Sequence, residues 1–329
     1  MKLNEITIEI TQQCLNRCIY CSSLSDIDKK QYLDFDTICL IVDDAKSLGA
    51  KSVSLSGGEP FLNTDIIDIV DYIHAKGLKL RLYSSGIYLK GDSTSSIPAA
   101  MLEAIKGKVD TLIFNYETND EDLYATIMGT HRDNLALLEE SITNAIAIGI
   151  QVEAHLVPMR CNFRQIPDVL GKLYSMGVLN VSFLRLVSQG RVLENRSLVE
   201  LSLEEQEEFK QILSRLSERY QGKIRLGLPF SSRGTSCGTG TVKLTVRYDG
   251  YVLPCEAFKD GMMAISEGVT PDNVKGKRLI DIYETSAYLI EVRENLKAFS
   301  VCGIDEYCYG QYCRKNHGMQ DRCLDCAGL

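Results

Sequence analysis

Three cysteines near the amino terminus constrain this chain more than any other feature of its sequence. Cys14, Cys18 and Cys21 lie in "CLNRCIYC", with three and then two residues between them. The preceding "MKLNEITIEI" alternates apolar and polar residues as a strand does and lacks the apolar core of an export signal. The chain has twelve cysteines, and in a reducing compartment disulfides do not explain them. The pattern therefore predicts that most of them bind metal.

The composition is that of an ordinary soluble globular protein and narrows the choice of partners. Hydrophobic residues make up 45% of the 329 residues and charged residues 24%. No window reaches the roughly 18 apolar residues that a membrane span needs, so we expect a cytoplasmic protein without membrane contact. The net charge of -8 argues against nucleic acid as a partner, because neutralising phosphates requires a basic surface.

The first 228 residues repeat a pattern of a short strand, a turn and an amphipathic helix. The predicted strands are rich in β-branched residues and lie at residues 6–10, 52–56, 78–84, 109–115, 150–157 and 179–187. Six such units predict an α/β fold in which a parallel sheet curls into a partial (β/α)6 barrel resembling a TIM barrel. In such folds the chemistry lies at the carboxyl ends of the strands.

The repeated pattern of strand, turn and helix ends between residues 225 and 235, and a cysteine-rich sequence follows. We therefore predict one domain at residues 1–228 and a small second domain at residues 229–329. The stretch "GTVKLTVRYDGYVLPCEAF" predicts a β-hairpin that turns at Asp249 and Gly250. The second domain is rich in cysteine, and its seven cysteines are Cys237, Cys255, Cys302, Cys308, Cys313, Cys323 and Cys326.

The spacing of the first three cysteines favours an iron-sulfur cluster over zinc. Three thiolates on one tight loop can bind three corners of an iron-sulfur cube and leave the fourth iron open. Structural zinc needs four closed ligands, and no fourth cysteine or histidine lies nearby in the sequence. "CLNRCIYC" resembles the CxxxCxxC signature of the radical S-adenosylmethionine (SAM) superfamily, including the aromatic Tyr20. This resemblance implies that the open iron binds SAM, which is then cleaved reductively to a 5′-deoxyadenosyl radical.

Two further segments resemble motifs of the same family. "SLSGGEPFL", residues 54–62, looks like its GGEP motif, in which Glu59 and a neighbouring carbonyl are expected to meet the ammonium of SAM. "LYSSGIYL" ends the third predicted strand, where the family often contacts the ribose, so Ser84 and Ser85 become candidates beside the alternative of ordinary loop serines. Glu117 is a further polar candidate. The residues expected to bind the cofactor are Tyr20, Gly57, Gly58, Glu59, Pro60, Ser84, Ser85, Asn115 and Arg185.

The carboxyl-terminal cysteines resemble the SPASM extension of this family. Cys237, Gly250 and Cys255 match its opening, and the resemblance implies auxiliary [4Fe-4S] clusters, one or two in number. The later cysteines depart from the usual pattern, because Phe299 stands where the first cysteine of a CxxC is expected. The expected ligands are Cys302, Cys308, Cys323 and Cys326 for one cluster, and Cys237, Cys255 and Cys313, with an open site, for the other. A zinc ribbon is the alternative.

Three residues on the fifth and sixth predicted units are candidates for catalysis. His155 and Arg185 lie on predicted strands, and Cys161 follows the fifth strand as a candidate radical relay. Arg185 interrupts the apolar "VSFLRLV", so its charge needs a partner, and a carboxylate of SAM or substrate would be one. The alternatives are a core histidine and an inert cysteine.

The sequence as a whole predicts a radical SAM oxidoreductase of the SPASM/twitch type. The resemblance to this family implies that the enzyme abstracts a hydrogen atom and oxidises or cross-links a peptide or protein side chain, with flavodoxin or ferredoxin as electron donor. No recognition domain precedes the first strand, so we expect a small molecule, a peptide held by the barrel, or one brought by a leader-peptide-binding protein. The alternatives are a dehydrogenase or epimerase of a small alcohol or sugar, and an iron-sulfur electron carrier or metal-sensing scaffold.

Overall fold

The computed structural model describes residues 2–226, 237–259 and 266–301 of the chain. The strands are β1 (Glu5–Thr11), β2 (Ser52–Gly57), β3 (Lys79–Ser84), β4 (Ile87–Lys90), β5 (Ser93–Ser96), β6 (Thr111–Asn115), β7 (Val152–Leu156), β8 (Asn180–Phe183), β9 (Ile224–Leu226), β10 (Lys243–Val246) and β11 (Val252–Leu253). The α-helices are α1 (Phe35–Ser47), α2 (Ile66–Ala75), α3 (Ala99–Ile105), α4 (Glu121–Met128), α5 (Asn134–Ile148), α6 (Ile166–Ser175), α7 (Arg196–Val199), α8 (Leu203–Arg219), α9 (Leu279–Thr285) and α10 (Ala287–Val301).

A nine-stranded sheet organises the described residues, in the order β11-β10-β1-β2-β3-β6-β7-β8-β9. Every neighbouring pair is parallel except β10 and β11. Six of the parallel strands, β1, β2, β3, β6, β7 and β8, coincide with the six predicted strands. One cavity is lined from β1, β3, β7 and β10, so the sheet curls around it. The predicted α/β partial barrel is confirmed.

The two faces of the sheet differ in polarity, as alternation along β1 illustrates. Ile6, Ile8 and Ile10 are fully buried in the apolar core that α1 and its neighbouring helices cover. Glu5 and Thr7 point to the opposite face, because successive side chains of a strand alternate, and they line the cavity inside the barrel. The interior of the barrel is therefore polar enough to hold a charged ligand.

The strand that should carry Arg185 is shorter than the sequence predicts. β8 ends at Phe183, although the apolar pattern continues to residue 187. Arg185 consequently lies in the segment that follows the strand and not within it, which corrects the prediction. The sequence also gave no sign of the β4–β5 hairpin, a two-stranded sheet inserted after β3.

The hairpin predicted at Asp249 and Gly250 is present and joins the main sheet. β10 and β11 are antiparallel, and Gly250 has a positive φ of 95° at the turn between them. β10 pairs in parallel with β1, from Glu5 opposite Lys243 to Ile8 opposite Val246. The sheet thus continues past the predicted boundary at residue 228. Within the described ranges, no helix combines the length and hydrophobicity required to cross a bilayer.

Candidate functional site

A single cavity brings together most residues that the sequence singled out. Its volume is about 680 Å³, and residues at or just beyond the carboxyl ends of β1, β2 and β3 line part of it. The sequence-predicted residues in its wall are Cys14, Cys18, Tyr20, Cys21, Gly57, Gly58, Ser84, Ser85, Asn115, His155, Arg185, Cys237 and Cys255. Residues from distant parts of the chain therefore face one enclosed space.

The cysteine loop, residues 12–26, follows β1 and is held in place by main-chain hydrogen bonds. The amide of Cys14 donates to the carbonyl of Asp26 at 3.0 Å, which closes the loop on itself. The amide of Arg17 donates to the carbonyl of Met128 at 2.9 Å, at the end of α4. These contacts fix the loop without using any of the three thiols.

Arg191 holds the same loop from the opposite side, and sequence reasoning missed it. The guanidinium is buried, and its Nε donates to the carbonyl of Cys18 at 2.8 Å while Nη2 donates to the carbonyl of Ser25. Its own amide donates to the carbonyl of Cys21 at 3.1 Å. A positive charge at this place favours thiolates over thiols in the loop.

Burial governs the protonation of the cysteine thiols. It raises the pKa of Cys14 and Cys18 well above the usual value for a cysteine, with neighbouring acidic groups adding to the effect. Without a metal these thiols are protonated at neutral pH, and a bound metal displaces their protons. Among the described residues, no three His, Cys, Asp or Glu side chains are arranged to hold a single metal ion. Three soft sulfur donors spread along a cavity wall fit an iron-sulfur cluster better than zinc.

The glycines of the GGEP segment allow β2 to lie directly against the cysteine loop. A Cβ atom on Gly58 would come within 2.0 Å of the carbonyl oxygen of Gln13. Gly57 has φ of 125°, and a Cβ there would meet the carbonyl oxygen of Thr11 at 2.3 Å. The amide of Gly58 donates to that carbonyl at 2.7 Å. Any side chain at either position would push the two loops apart.

The carboxylate of Glu59 is not part of the cavity wall, unlike the two glycines before it. It is fully buried and accepts hydrogen bonds from Ser84 Oγ at 3.0 Å, Ser85 Oγ at 2.5 Å and the amide of Phe61 at 3.1 Å. Glu59 and the two serine hydroxyls thus bind one another, and their contacts with the SAM ammonium and the ribose stay predictions. Pro60 is also buried and begins the short helix Pro60–Leu62 behind the wall.

Glu117 connects the cysteine loop to the strands on the other side of the cavity. Tyr20 Oη donates to Glu117 Oε1 at 2.8 Å, and the amide of Val157 donates to Oε2 at 2.7 Å. Asn115, at the end of β6, adds a further hydrogen bond to this carboxylate. Burial raises the pKa of Glu117 to about 7, despite these three donors. Glu117 therefore orients Tyr20, a role that the sequence did not assign to it.

The three candidate catalytic residues differ in their position. His155 is 7% exposed, and burial followed by the charges of Arg81 and Arg225 lowers its pKa to about 3, so its imidazole is neutral at pH 7. Arg185 lines the cavity, and its Nε and Nη1 have no hydrogen-bond partner among the described residues. Cys161 does not line the cavity, and burial raises its pKa to about 11. The role of Cys161 as a radical relay stays a prediction for a residue outside the cavity wall.

Two of the auxiliary cysteines reach the same cavity from the hairpin side. Cys237 and Cys255 both line it, and Cys255 is buried. The segment after Cys255 is tied to β1 by the ion pair of Lys259 Nζ with Glu9 Oε1, at 2.7 Å. The remaining predicted ligands lie outside the described residues, and they are Cys302, Cys308, Cys313, Cys323 and Cys326.

Residues 8–170 match the family model described as the radical SAM superfamily. The PqqA peptide cyclase of Methylobacterium sp. (strain 4-46) is 25% identical over 285 residues, which are 84% of this chain and 72% of that protein. A probable GTP 3′,8-cyclase of Methanococcus maripaludis (strain C7) is 22% identical over 80% of this chain and 89% of its own length.

A solved structure has the same overall arrangement. Streptococcus suis SuiB, crystallised with its precursor peptide SuiA, superposes with a TM-score of 0.70 at 17% identity, over 91% of this chain and 69% of that one. At this identity the likeness establishes the fold alone.

Proposed function

Because the chain belongs to the radical SAM superfamily through residues 8–170, we propose that it is an enzyme that abstracts a hydrogen atom from a peptide or protein side chain. The predicted membership is thereby confirmed, and it implies a [4Fe-4S] cluster and SAM. The similarity to PqqA peptide cyclase supports the SPASM/twitch subgroup. When bound, the cluster and SAM supply a 5′-deoxyadenosyl radical.

The observation that carries the proposal is the shared cavity. Cys14, Cys18 and Cys21 face it together with Gly57 and Gly58, and the cavity is large enough to hold a nucleoside beside them. An electron carrier would need the thiols but not the close approach of two glycines to the cysteine loop. This arrangement therefore favours a SAM-binding enzyme over a carrier or metal-sensing scaffold.

Different residues of the chain would bind different parts of SAM. The three cysteines would hold the cluster, and backbone groups of the GGEP segment, which Glu59 fixes from behind, would meet the ammonium. Arg185, with two guanidinium nitrogens lacking partners among the described residues, would bind the carboxylate of SAM. Tyr20, Ser84, Ser85 and Asn115 would border the nucleoside.

A peptide is the substrate class that the relatives favour. PqqA peptide cyclase is named for a peptide substrate, and SuiB was crystallised with a precursor peptide. We propose that this chain oxidises or cross-links a peptide side chain, with auxiliary [4Fe-4S] clusters bound by residues 229–329. Flavodoxin or ferredoxin would supply the electron. If the barrel itself does not hold the peptide, a separate leader-peptide-binding protein would present it. The cytoplasm, the expected location, provides such donors.

The test is reductive cleavage of SAM by the full chain purified without oxygen. With dithionite and SAM, we expect 5′-deoxyadenosine from the wild type and only background from Cys18→Ala. Cys39→Ala is the matched control, because Cys39 lies half-buried on α1 outside the cavity and should leave the yield unchanged. No 5′-deoxyadenosine from protein with an intact cluster would support the electron carrier instead.

A further inference from the structure

The cavity has a floor well below the rim where SAM is proposed to bind. Arg81 lies at this floor on β3, whereas His155 is one position before the end of β7 and pairs with Asn115 at the rim. Strand pairing places Arg81 beside Ser54 and Thr111, in the middle of the sheet. Arg81 precedes Ser84, the last residue of β3, by three positions, which corresponds to about 10 Å at 3.3 Å per residue. A group that reaches Arg81 must therefore extend below the rim.

The cationic side chains that line the cavity differ in whether they form an ion pair with a carboxylate. The cationic residues in the wall are Arg81, Arg185, Lys243 and Lys259, and the carboxylates are Glu5 and Glu256. Lys243 Nζ lies 2.8 Å from Glu256 Oε2, and Lys259 is paired with Glu9. Neither arginine forms an ion pair with a carboxylate among the described residues. The cavity thus has an excess of positive charge in a chain whose net charge is -8.

His155 adds a polar atom nearer the rim, unpartnered within the part of the chain that the structure describes. Its side chain packs edge-on against Tyr83, with ring centroids 5.2 Å apart. Nδ1 of His155 is buried and has no hydrogen-bond partner among the described residues, although the side chain lines the cavity. A buried polar atom without a partner is costly unless a ligand satisfies it. Arg81 is exposed and lines the cavity, so a ligand in the cavity can reach its guanidinium.

We propose that Arg81 binds a carboxylate of the substrate at the floor of the cavity. A planar guanidinium binds carboxylates through paired hydrogen bonds. The carboxylate is the side chain of a glutamate or aspartate, or the carboxyl terminus of the peptide. This inference rests on the proposed function, because it names the chemistry of that enzyme's substrate.

Binding of three matched peptides to the full chain tests the proposal. The protein is reconstituted without oxygen and loaded with SAM, and no reductant is added, so no turnover occurs. The probes are acetyl-Gly-Ser-Glu-Ser-Gly amide, the same peptide with Gln in place of Glu, and the Gln peptide with a free carboxyl terminus. Ultrafiltration and mass spectrometry then measure the fraction of each probe that is retained.

We expect one of the two acidic probes to bind about tenfold more tightly than the neutral amide, and the probe that does so identifies the source of the carboxylate. Arg81→Gln should abolish the preference, and Arg81→Lys should weaken it. Arg132→Gln, an equal charge change on an exposed residue outside the cavity, should leave it intact.

Equal binding of all three probes to the wild type would overturn the proposal, as would an undiminished preference in Arg81→Gln. The two proposals fail separately, because formation of 5′-deoxyadenosine is measured without peptide. A protein that cleaves SAM and shows no preference for carboxylate contradicts only the substrate inference. One that prefers carboxylate and never cleaves SAM contradicts only the proposed enzyme.

Discussion

At the scale of single residues, Gly58 shows that backbone proximity constrains this site as strongly as thiol chemistry does. Its Cα lies so close to the cysteine loop that a methyl group would sit 2.0 Å from the carbonyl oxygen of Gln13. Both partners are main chain, so neither can yield by changing a rotamer. The geometry of the three cysteines therefore depends on a residue that has no side chain.

Gly58→Ala should lower the free energy of unfolding by about 1 to 3 kcal/mol, because one of the two loops must move. The displaced loop should also retain less iron after reconstitution. Gly171→Ala is the control, because no atom lies within 4 Å of its Cβ position in α6. That change should stabilise the chain by about 1 kcal/mol through helix propensity. Urea unfolding and iron analysis measure both effects, and unchanged values for Gly58→Ala would contradict the packing argument.

The sequence predicts site residues well where their spacing is local. Cys14, Cys18 and Cys21 share one loop, so their spacing can be read from eight consecutive residues. Local spacing cannot reveal the role of Arg191, because its hydrogen bond to the carbonyl of Cys18 joins residues that are 173 positions apart. The hydrogen bonds of Glu59 could not be predicted for a related reason, since its partners, Ser84 and Ser85, reach it only after β3 is placed beside β2.

At the scale of elements, one buried carboxylate joins the carboxyl-terminal helices to the barrel. Asp44 on α1 is 4% exposed and accepts hydrogen bonds from Arg278 Nε at 3.0 Å and from the amide of Ile280 at 3.3 Å. Arg278 and Ile280 lie at the start of α9, so Asp44 fixes the point where that helix begins.

Asp44→Asn should lower the free energy of unfolding by about 1 to 2 kcal/mol, since it weakens a charge-assisted contact of a buried group. Half of the Arg278 side chain is exposed, which limits the loss. The neighbouring Asp43→Asn is the matched control: its ion pair with Lys76 is partly exposed, so the expected loss is below about 1 kcal/mol. Equal losses in urea unfolding would show that α9 does not depend on this contact.

Hydrophobic periodicity located the six barrel strands but not their full pairing. The apolar run at residues 179–187 predicted a long strand, whereas β8 stops at Phe183 and the later apolar residues line the cavity instead. Hydrophobic periodicity also did not predict which strand pairs with the outer edge of β1. That partner, β10, is more than two hundred residues away, and pairing at such a distance leaves no local signal.

At the scale of the whole molecule, the cavity combines the amino-terminal cysteine loop with segments as distant as residues 237–259. The cysteine loop forms one side, and Cys237, Cys255 and Lys259 form part of another. A ligand that fills this space contacts segments that no single motif contains. Ligand binding and stability of the whole chain are therefore linked.

SAM should stabilise the cluster-loaded chain and not the cluster-free one. At a SAM concentration one hundred times the Kd, the free energy of unfolding should rise by about 2.7 kcal/mol. Thermal unfolding without oxygen measures the shift. Cys14→Ala, which should lose the cluster, is the comparison in which the shift disappears. An equal shift in both proteins would mean that SAM binds without the open iron.

The pairing of β10 with β1 also determines when the main sheet can form during synthesis of the chain. β1 leaves the ribosome among the first segments, yet its outer edge stays unpaired until residue 246 has been made. At translation rates of 5 to 20 residues per second, that delay is roughly ten to fifty seconds. For that time the nascent chain presents an open strand edge next to three unligated cysteines, so chaperone protection and iron loading must both be timed to the synthesis of β10.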